Sequence, residues 1–191
     1  ILVATGKIDA VICINKVDLL NESEPDKFSK VFQAYEDLGY QVILTSIHRQ
    51  ETIDQLRSIL KGKLSVIVGT SGVGKSSLLN AVQPNLGLRT HEVSSKTRKG
   101  RHTTTLVELF DLEIGGKVAD TPGVREVGLW GVNPDYLDRY FPEIGSRIDA
   151  CKFSDCSHSR EPNCAIIEAV KKGEIATFRY ESYLALLGEN N

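Results

Sequence analysis

The sequence predicts an α/β fold built on a mostly parallel sheet, followed by a small, mainly helical C-terminal module. Three observations carry this reading. Short β-branched runs alternate with segments of helical periodicity between residues 9 and 82. A glycine-rich turn at 69–76 separates one such strand from one such helix, and three of the four cysteines fall between 151 and 164 with a histidine among them. The 191 residues suffice for one domain and an appendage, and 41% hydrophobic content with a net charge of −2 excludes a disordered chain. The longest apolar runs, such as Val11-Ile12-Cys13-Ile14, fall far short of the roughly 20 residues of a membrane span, so no membrane partner is expected. Near-neutral charge also argues against a whole-domain nucleic-acid binder, for which a pI above about 9 is expected. The chain holds no Met and opens at Ile1-Leu2-Val3-Ala4, as expected of an excised piece of a longer protein.

Residues 9–14 lack polar alternation, as in a parallel strand buried on both faces; Cys13 is then a small core residue. Phe28, Val31, Phe32, Tyr35 and Leu38 repeat at helical spacing over 25–38, between Pro25 and Gly39. A second strand runs from Gln41 to Leu44, and Ile53, Leu56, Ile59 and Leu60 mark a second helix stopped by Gly62. A third buried strand at 64–68 leads to a helix carrying Leu78, Leu79 and Val82, which ends at Pro84. Residues 85–104 show little apolar periodicity and read as a long functional loop. Strands at 105–112 and 117–119 pair around Glu113-Ile114-Gly115-Gly116. Helices near 165–172 and 177–187 follow a Cys/His-rich loop. A boundary between Ile144 and Cys151 divides the chain into 1–146 and 147–191.

Gly69-Thr70-Ser71-Gly72-Val73-Gly74-Lys75-Ser76 fits GxxxxGK[ST] and lies where the motif requires, between strand and helix. Its backbone N–H groups can cradle phosphate oxygens at a helix N-terminus. Lys75 then supplies charge to the outer phosphates and the Ser76 hydroxyl can meet Mg²⁺. Asn15-Lys16-Val17-Asp18 follows the first strand, at the end of a sheet where open α/β folds bind ligands. The Asp18 carboxylate can accept from both N1–H and N2–H of guanine, while Lys16 packs over the ring and Asn15 ties loops together. Thr45-Ser46 would add a backbone contact to the base. Asp120-Thr121-Pro122-Gly123 closes the strand from Lys117, with Asp120 expected to hold Mg²⁺ through water and the Gly123 N–H to sense a γ-phosphate. GTP and GDP with Mg²⁺ are the ligands this set predicts.

These motifs match Ras-like GTPases in a changed order, since the base reader at 15–18 precedes the phosphate loop, which precedes Asp120. A fold tolerates such a change when its old termini lie close together. The order resembles the circularly permuted GTPases, and more closely the ribosome small-subunit biogenesis GTPases of RsgA type. The resemblance rests on Asn15 to Asp18, Gly69 to Ser77, Gly100-Arg101-His102-Thr103-Thr104-Thr105, Asp120 to Gly123 and the cysteine cluster. It implies a circularly permuted P-loop GTPase domain, a zinc-binding module, and an RNA-binding OB-fold upstream of Ile1. It further implies a cytoplasmic monomer whose GTP hydrolysis gates association with the maturing small ribosomal subunit and its rRNA, and release from it. A nucleotide-gated RNA-binding switch with negligible hydrolysis, or a large-subunit assembly GTPase, are the competing readings.

Ras-like enzymes place a water-orienting Gln after DxxG, but Val124 stands there and cannot do that job. His102 is the candidate to orient the water, a role the resemblance also implies; the competing reading is a mobile surface imidazole. Thr104 is the weaker choice for a Mg²⁺ contact. Arg89, Lys96, Arg98, Lys99 and Arg101 face a single acid, Glu92, between 85 and 102, which suits either a solvated loop or an arm on RNA phosphate. Cys151, Cys156, His158 and Cys164 supply three thiolates and an imidazole, the closed donor set of a structural Zn²⁺ site.

Overall fold

The fold is given by a computed structural model, which describes residues 8–20, 25–88, 108–120 and 133–189. Two compact units are present: Val11–Ser29 with Gln41–Gly128, and Ile1–Ala10 with Lys30–Tyr40 and Leu129–Asn191.

The first unit is built from strands β1 (Val11–Asn15), β2 (Gln41–Thr45), β3 (Leu64–Ile67), β4 (Glu108–Asp111) and β5 (Lys117–Asp120). Strands β1 and β2 pair in parallel with Asn15 beside Thr45. Strands β3 and β5 also pair in parallel, with Ile67 beside Asp120, and β4 adds antiparallel to β5. The helices of this unit are α2 (Gln50–Leu60) and α3 (Lys75–Val82); helix α1 (Pro25–Glu36) begins in it. Ile53, Leu56 and Leu60 on α2 and Leu78, Leu79 and Val82 on α3 share one core with Ile43, Leu112 and Val118. Burial of such side chains contributes about 1.5–3 kcal/mol each.

The two parallel pairs are what the alternation of periods predicts, although the described strands form two sheets, β1–β2 and β3–β5–β4. The strand ends differ slightly, β2 running on to Thr45 and β4 being described only from Glu108. Two strands expected to be buried on both faces are not. Ile67 packs against the core while Leu64, Val66 and Val68 are exposed, because α2 and α3 cover one face only. Cys13 is likewise exposed, with its Sγ 3.0 Å from Thr45 Oγ1. Gly116 closes the β4–β5 turn at φ +99, where a Cβ would lie 2.6 Å from the Lys63 carbonyl oxygen.

The second unit contains the 3-10 segment Pro134–Tyr140, the single turn α4 (Pro142–Gly145), α5 (Ala165–Lys171) and α6 (Thr177–Glu189). Its core joins Leu137, Phe141 and Ile144 to Cys164, Ile166, Ala169, Ile175 and Tyr183. The sequence boundary at 146/147 therefore falls inside this unit, because residues before it pack against residues after it. Buried Glu143 and half-buried Arg179 form an ion pair, with Nε donating to Oε1 at 2.7 Å. The guanidinium lies over Phe141 at 4.8 Å and over Tyr35 of α1 at 5.4 Å.

Candidate functional site

The phosphate loop leaves β3 and enters α3 through glycines in left-handed conformations, Gly72 at φ +82 and Gly74 at φ +97. No side chain caps α3, so the N–H groups of its first turn remain available to an anion. Lys75 Nζ donates to the carbonyls of Gly69 at 2.7 Å and Thr70 at 3.1 Å, which arches the loop around the ammonium. Ser76 follows in the first turn of α3. The β3–β5 register sets Asp120 beside Ile67, two residues before Gly69.

The residues after β1 meet this loop. Asn15 Nδ2 donates to the Val73 carbonyl at 2.8 Å, and Lys16 Nζ to the Gly72 carbonyl at 2.7 Å. Lys16 sits at φ 65, and the turn is anchored by Val17, which is buried. Any other residue at 74 is strained at φ +97 and displaces the Asn15 amide, since a Cβ there would lie 2.5 Å from Asn15 Nδ2. Asp18 is exposed.

Thr45 and Ser46 follow at the end of β2. Both are buried, and the Ser46 N–H donates to Thr52 Oγ1 at 3.0 Å, so it is already engaged. Instead the Ser46 hydroxyl donates to Asp18 Oδ1 at 2.5 Å while accepting from the His48 N–H at 3.0 Å. That hydrogen bond holds the Asp18 carboxyl below its usual range, with minor help from His48 and Arg49. Thr45 Oγ1 donates to Asn15 Oδ1 at 3.1 Å, across the Asn15–Thr45 register pair. These side chains orient Asn15 and Asp18.

In the second unit, Cys151, Cys156, His158 and Cys164 bring their donor atoms within 4.8 Å of one another. His158 Nδ1 is 3.5 Å from both Cys151 Sγ and Cys164 Sγ, which are 3.9 Å apart. Four ligands around a tetrahedral ion bonded at about 2.3 Å to sulfur and 2.0–2.1 Å to nitrogen would sit about 3.5 Å and 3.8 Å apart in these pairs. The donor set fits a four-coordinate metal ion. Burial, with the neighbouring thiols adding, pushes the Cys156 thiol up to about 12, a cost that a bound cation reverses. His102, Thr104 and Gly123 lie outside the described residues, as do Arg89, Lys96, Arg98, Lys99 and Arg101.

The sequence model of the RsgA GTPase family matches residues 1–130. The chain belongs to the RsgA GTPase family. The small ribosomal subunit biogenesis GTPase RsgA of Halalkalibacterium halodurans is 45% identical over 98% of this chain and 63% of its own length. Its counterpart from Thermotoga maritima is 43% identical over 99% of this chain and 63% of its own. Among solved structures, YjeQ from Thermotoga maritima aligns with a TM-score of 0.76 at 40% identity, covering 98% of this chain and 62% of that one. YloQ, described as a circularly permuted GTPase, aligns with a TM-score of 0.70 at 35% identity, covering 98% and 59%. The chain thus spans under two thirds of the length of these RsgA relatives.

Around its cysteine cluster this RsgA family member carries polar residues that sequence reasoning missed. Glu161 accepts from Ser157 Oγ at 2.6 Å and from the N–H groups of Ser157, Ser159 and Arg160 at 2.8–3.0 Å. Burial opposes its ionisation, but these donors win and hold the carboxyl at about 2. Tyr180 and Tyr183 donate to the carbonyls of His158 at 2.7 Å and Ser157 at 2.9 Å. A Glu four residues after a Ser in a short loop was the one local signal for this knot.

Proposed function

We propose that this chain is the GTP-binding and GTP-hydrolysing part of a protein that acts in small ribosomal subunit biogenesis. The observation that carries the nucleotide reading is the pair of hydrogen bonds from Asn15 and Lys16 to the carbonyls of Val73 and Gly72. They fasten a guanine reader to a phosphate cradle, so base and triphosphate are measured by one rigid unit. Gly69, Thr70, Ser71, Gly72, Val73, Gly74 and Ser77 would contribute backbone or hydroxyl contacts to phosphate, and Lys75 its charge. Ser76 and Asp120 would hold Mg²⁺, which neutralises charge on the β- and γ-phosphates.

In hydrolysis a water attacks the γ-phosphorus, the bond to the β–γ bridging oxygen breaks, and GDP and phosphate leave. His102 would orient that water, Thr104 would complete the Mg²⁺ shell, and the Gly123 N–H would report the γ-phosphate. Cys151, Cys156, His158 and Cys164 would hold Zn²⁺, whose role in a closed four-ligand site is structural. The small-subunit assignment is supported by the names of the relatives; rRNA as partner and a cytoplasmic monomer extend that reading.

Asp18→Asn decides the base assignment. Asparagine presents an amide donor where guanine N1–H and N2–H need an acceptor, but suits the 2-oxygen of xanthine. Affinity for GDP should fall on the order of 10²-fold or more and affinity for XDP should rise, by fluorescent-nucleotide competition. Unchanged preference for GDP refutes the reading. GTP turnover with and without isolated small subunits then tests the partner, in the parent chain and in His102→Ala.

A further inference from the structure

The His158 imidazole is buried on all sides, and its Nε2 is the one buried side-chain nitrogen or oxygen among the described residues with no hydrogen-bond partner. Such a group costs about 1–3 kcal/mol, so an orphan in a well-packed unit asks for a reason. The ring's other nitrogen supplies it. Nδ1 faces the Cys151 and Cys164 sulfurs at 3.5 Å and is the metal-side donor. For Nδ1 to offer a lone pair, the proton of the neutral imidazole must reside on Nε2. The acceptor facing Nε2 is Asp138 Oδ2, 3.7 Å away.

We propose that Asp138 is a positioning residue for the metal site, holding the His158 ring in the tautomer and orientation that present Nδ1 to the ion. The proposal rests on the reading of the cysteine cluster as a metal site. Asp138 is pre-aimed for this role. Its Oδ1 accepts the Arg139 N–H at 2.8 Å, which leaves Oδ2 directed at the imidazole. The 3-10 segment that carries it is pinned by Leu137 in the core of this unit. The histidine is equally fixed from behind. His158 holds the left-handed conformation at φ 59, its carbonyl accepts from Tyr180, and Glu161 ties down the N–H groups of Ser157, Ser159 and Arg160. With the main chain clamped, side-chain rotation and proton placement are the ring's remaining freedoms, and Asp138 acts on both. A shift of under about 1 Å brings Nε2 and Oδ2 to hydrogen-bond distance. Without the carboxylate, the Nδ1–H tautomer competes and turns a proton toward the metal position.

The test uses the whole chain and Zn²⁺ itself. Asp138→Ala and the similarly sized Asp138→Leu remove the acceptor, Asp138→Asn keeps one, and the exposed neighbour Asp135→Ala is the control. Zn²⁺ affinity by chelator competition should fall about 10- to 100-fold in the Ala and Leu variants, the usual effect of losing an outer-shell partner. The Asp135→Ala variant should stay near the parent, and Asn, whose one oxygen must serve both the Arg139 N–H and the imidazole, should fall between the parent and Ala. Imidazole ¹⁵N shifts of the zinc-free protein should show His158 as the Nε2–H tautomer in the parent and as a mixture in the Leu variant. A parent that binds no Zn²⁺ overturns the metal reading and this proposal with it. A parent that binds Zn²⁺, with Ala and Leu variants matching it in affinity and tautomer, overturns the role of Asp138 alone.

Discussion

Gly74→Ala separates a site made of two loops from a site made of one unit. The substitution places a Cβ 2.5 Å from Asn15 Nδ2 and 3.7 Å from Lys16 Cε, at a backbone φ of +97. Holding alanine in the left-handed region costs about 1–2 kcal/mol. Displacing Asn15 breaks its bond to the Val73 carbonyl, a further ~1 kcal/mol, while Lys16 Cε at 3.7 Å is in ordinary contact and keeps its bond to Gly72. The total is about 2–3 kcal/mol, of which the strain falls on folding and the broken clamp on nucleotide binding as well. Gly62→Ala is the matched control, because Gly62 has φ +70 and open space around its Cβ position. Chemical denaturation should show Gly62→Ala losing the strain alone and Gly74→Ala losing about 1 kcal/mol more. Titration with a fluorescent guanine nucleotide should show affinity reduced about fivefold in Gly74→Ala and unchanged in Gly62→Ala. Equal destabilisation by the two variants, or parental affinity in Gly74→Ala, refutes the idea that base reader and phosphate loop are clamped together.

Two other substitutions probe polar contacts that packing has hidden. Ser46→Ala removes the hydroxyl that orients Asp18, so guanine-nucleotide affinity at neutral pH should fall about tenfold, the low end for a hydrogen bond to a charged group. Because that hydroxyl lowers the Asp18 pKa, carboxylate-dependent binding in the parent persists above the lowered value and is lost as pH falls through it. In Ser46→Ala the midpoint of that acid loss should move up toward the ordinary aspartate value of about 3.9; an unmoved midpoint in nucleotide titrations across pH refutes the contact. Glu143→Ala leaves the half-buried Arg179 guanidinium against Phe141 and Tyr35 without its partner, and should cost about 1–3 kcal/mol in denaturant unfolding. A loss under about 1 kcal/mol would mean that the guanidinium reaches water when unpaired.

The features legible in the sequence are those whose signal is local. Val11 to Ile14, Gln41 to Leu44 and the runs around Ile53 and Leu78 declare their period within one element, and each became the expected strand or helix. The glycine-rich loop and the cysteine cluster are spacing signals, and the structure gathers the four metal-side donors that the spacing indicated. What stayed hidden depends on contacts between polar groups far apart in the chain. Ser46 meets Asp18 across 28 residues, and Arg179 meets Glu143 across 36. No period or motif marks such pairs, because one polar side chain on a helix or loop has many equivalent partners until the core is packed. Leu137, Phe141 and Ile144 lie before the expected boundary yet pack with residues beyond it, for a related reason. The Cys/His-rich composition starts at Cys151, whereas the apolar residues that pack against it start earlier.

The reversed order of the motifs is physically inexpensive for the same reason that these contacts were hard to foresee. Asn15 and Lys16 reach Val73 and Gly72 across 58 and 56 residues, and nothing in a hydrogen bond records which partner comes first along the chain. The site needs Asn15 and Thr45 side by side at the ends of β1 and β2, and Asp120 beside the strand that feeds the phosphate loop. Parallel register provides both at the carboxyl ends of strands, whichever helix makes each connection. Loop-closure cost grows only with the logarithm of loop length, so redistributing the connections shifts it by about 0.6 kcal/mol per doubling. A single Cβ at Gly74 costs several times that. Selection on this fold therefore bears on a few close approaches, and a chain may be cut and rejoined elsewhere so long as Gly74 still lets Asn15 touch the loop.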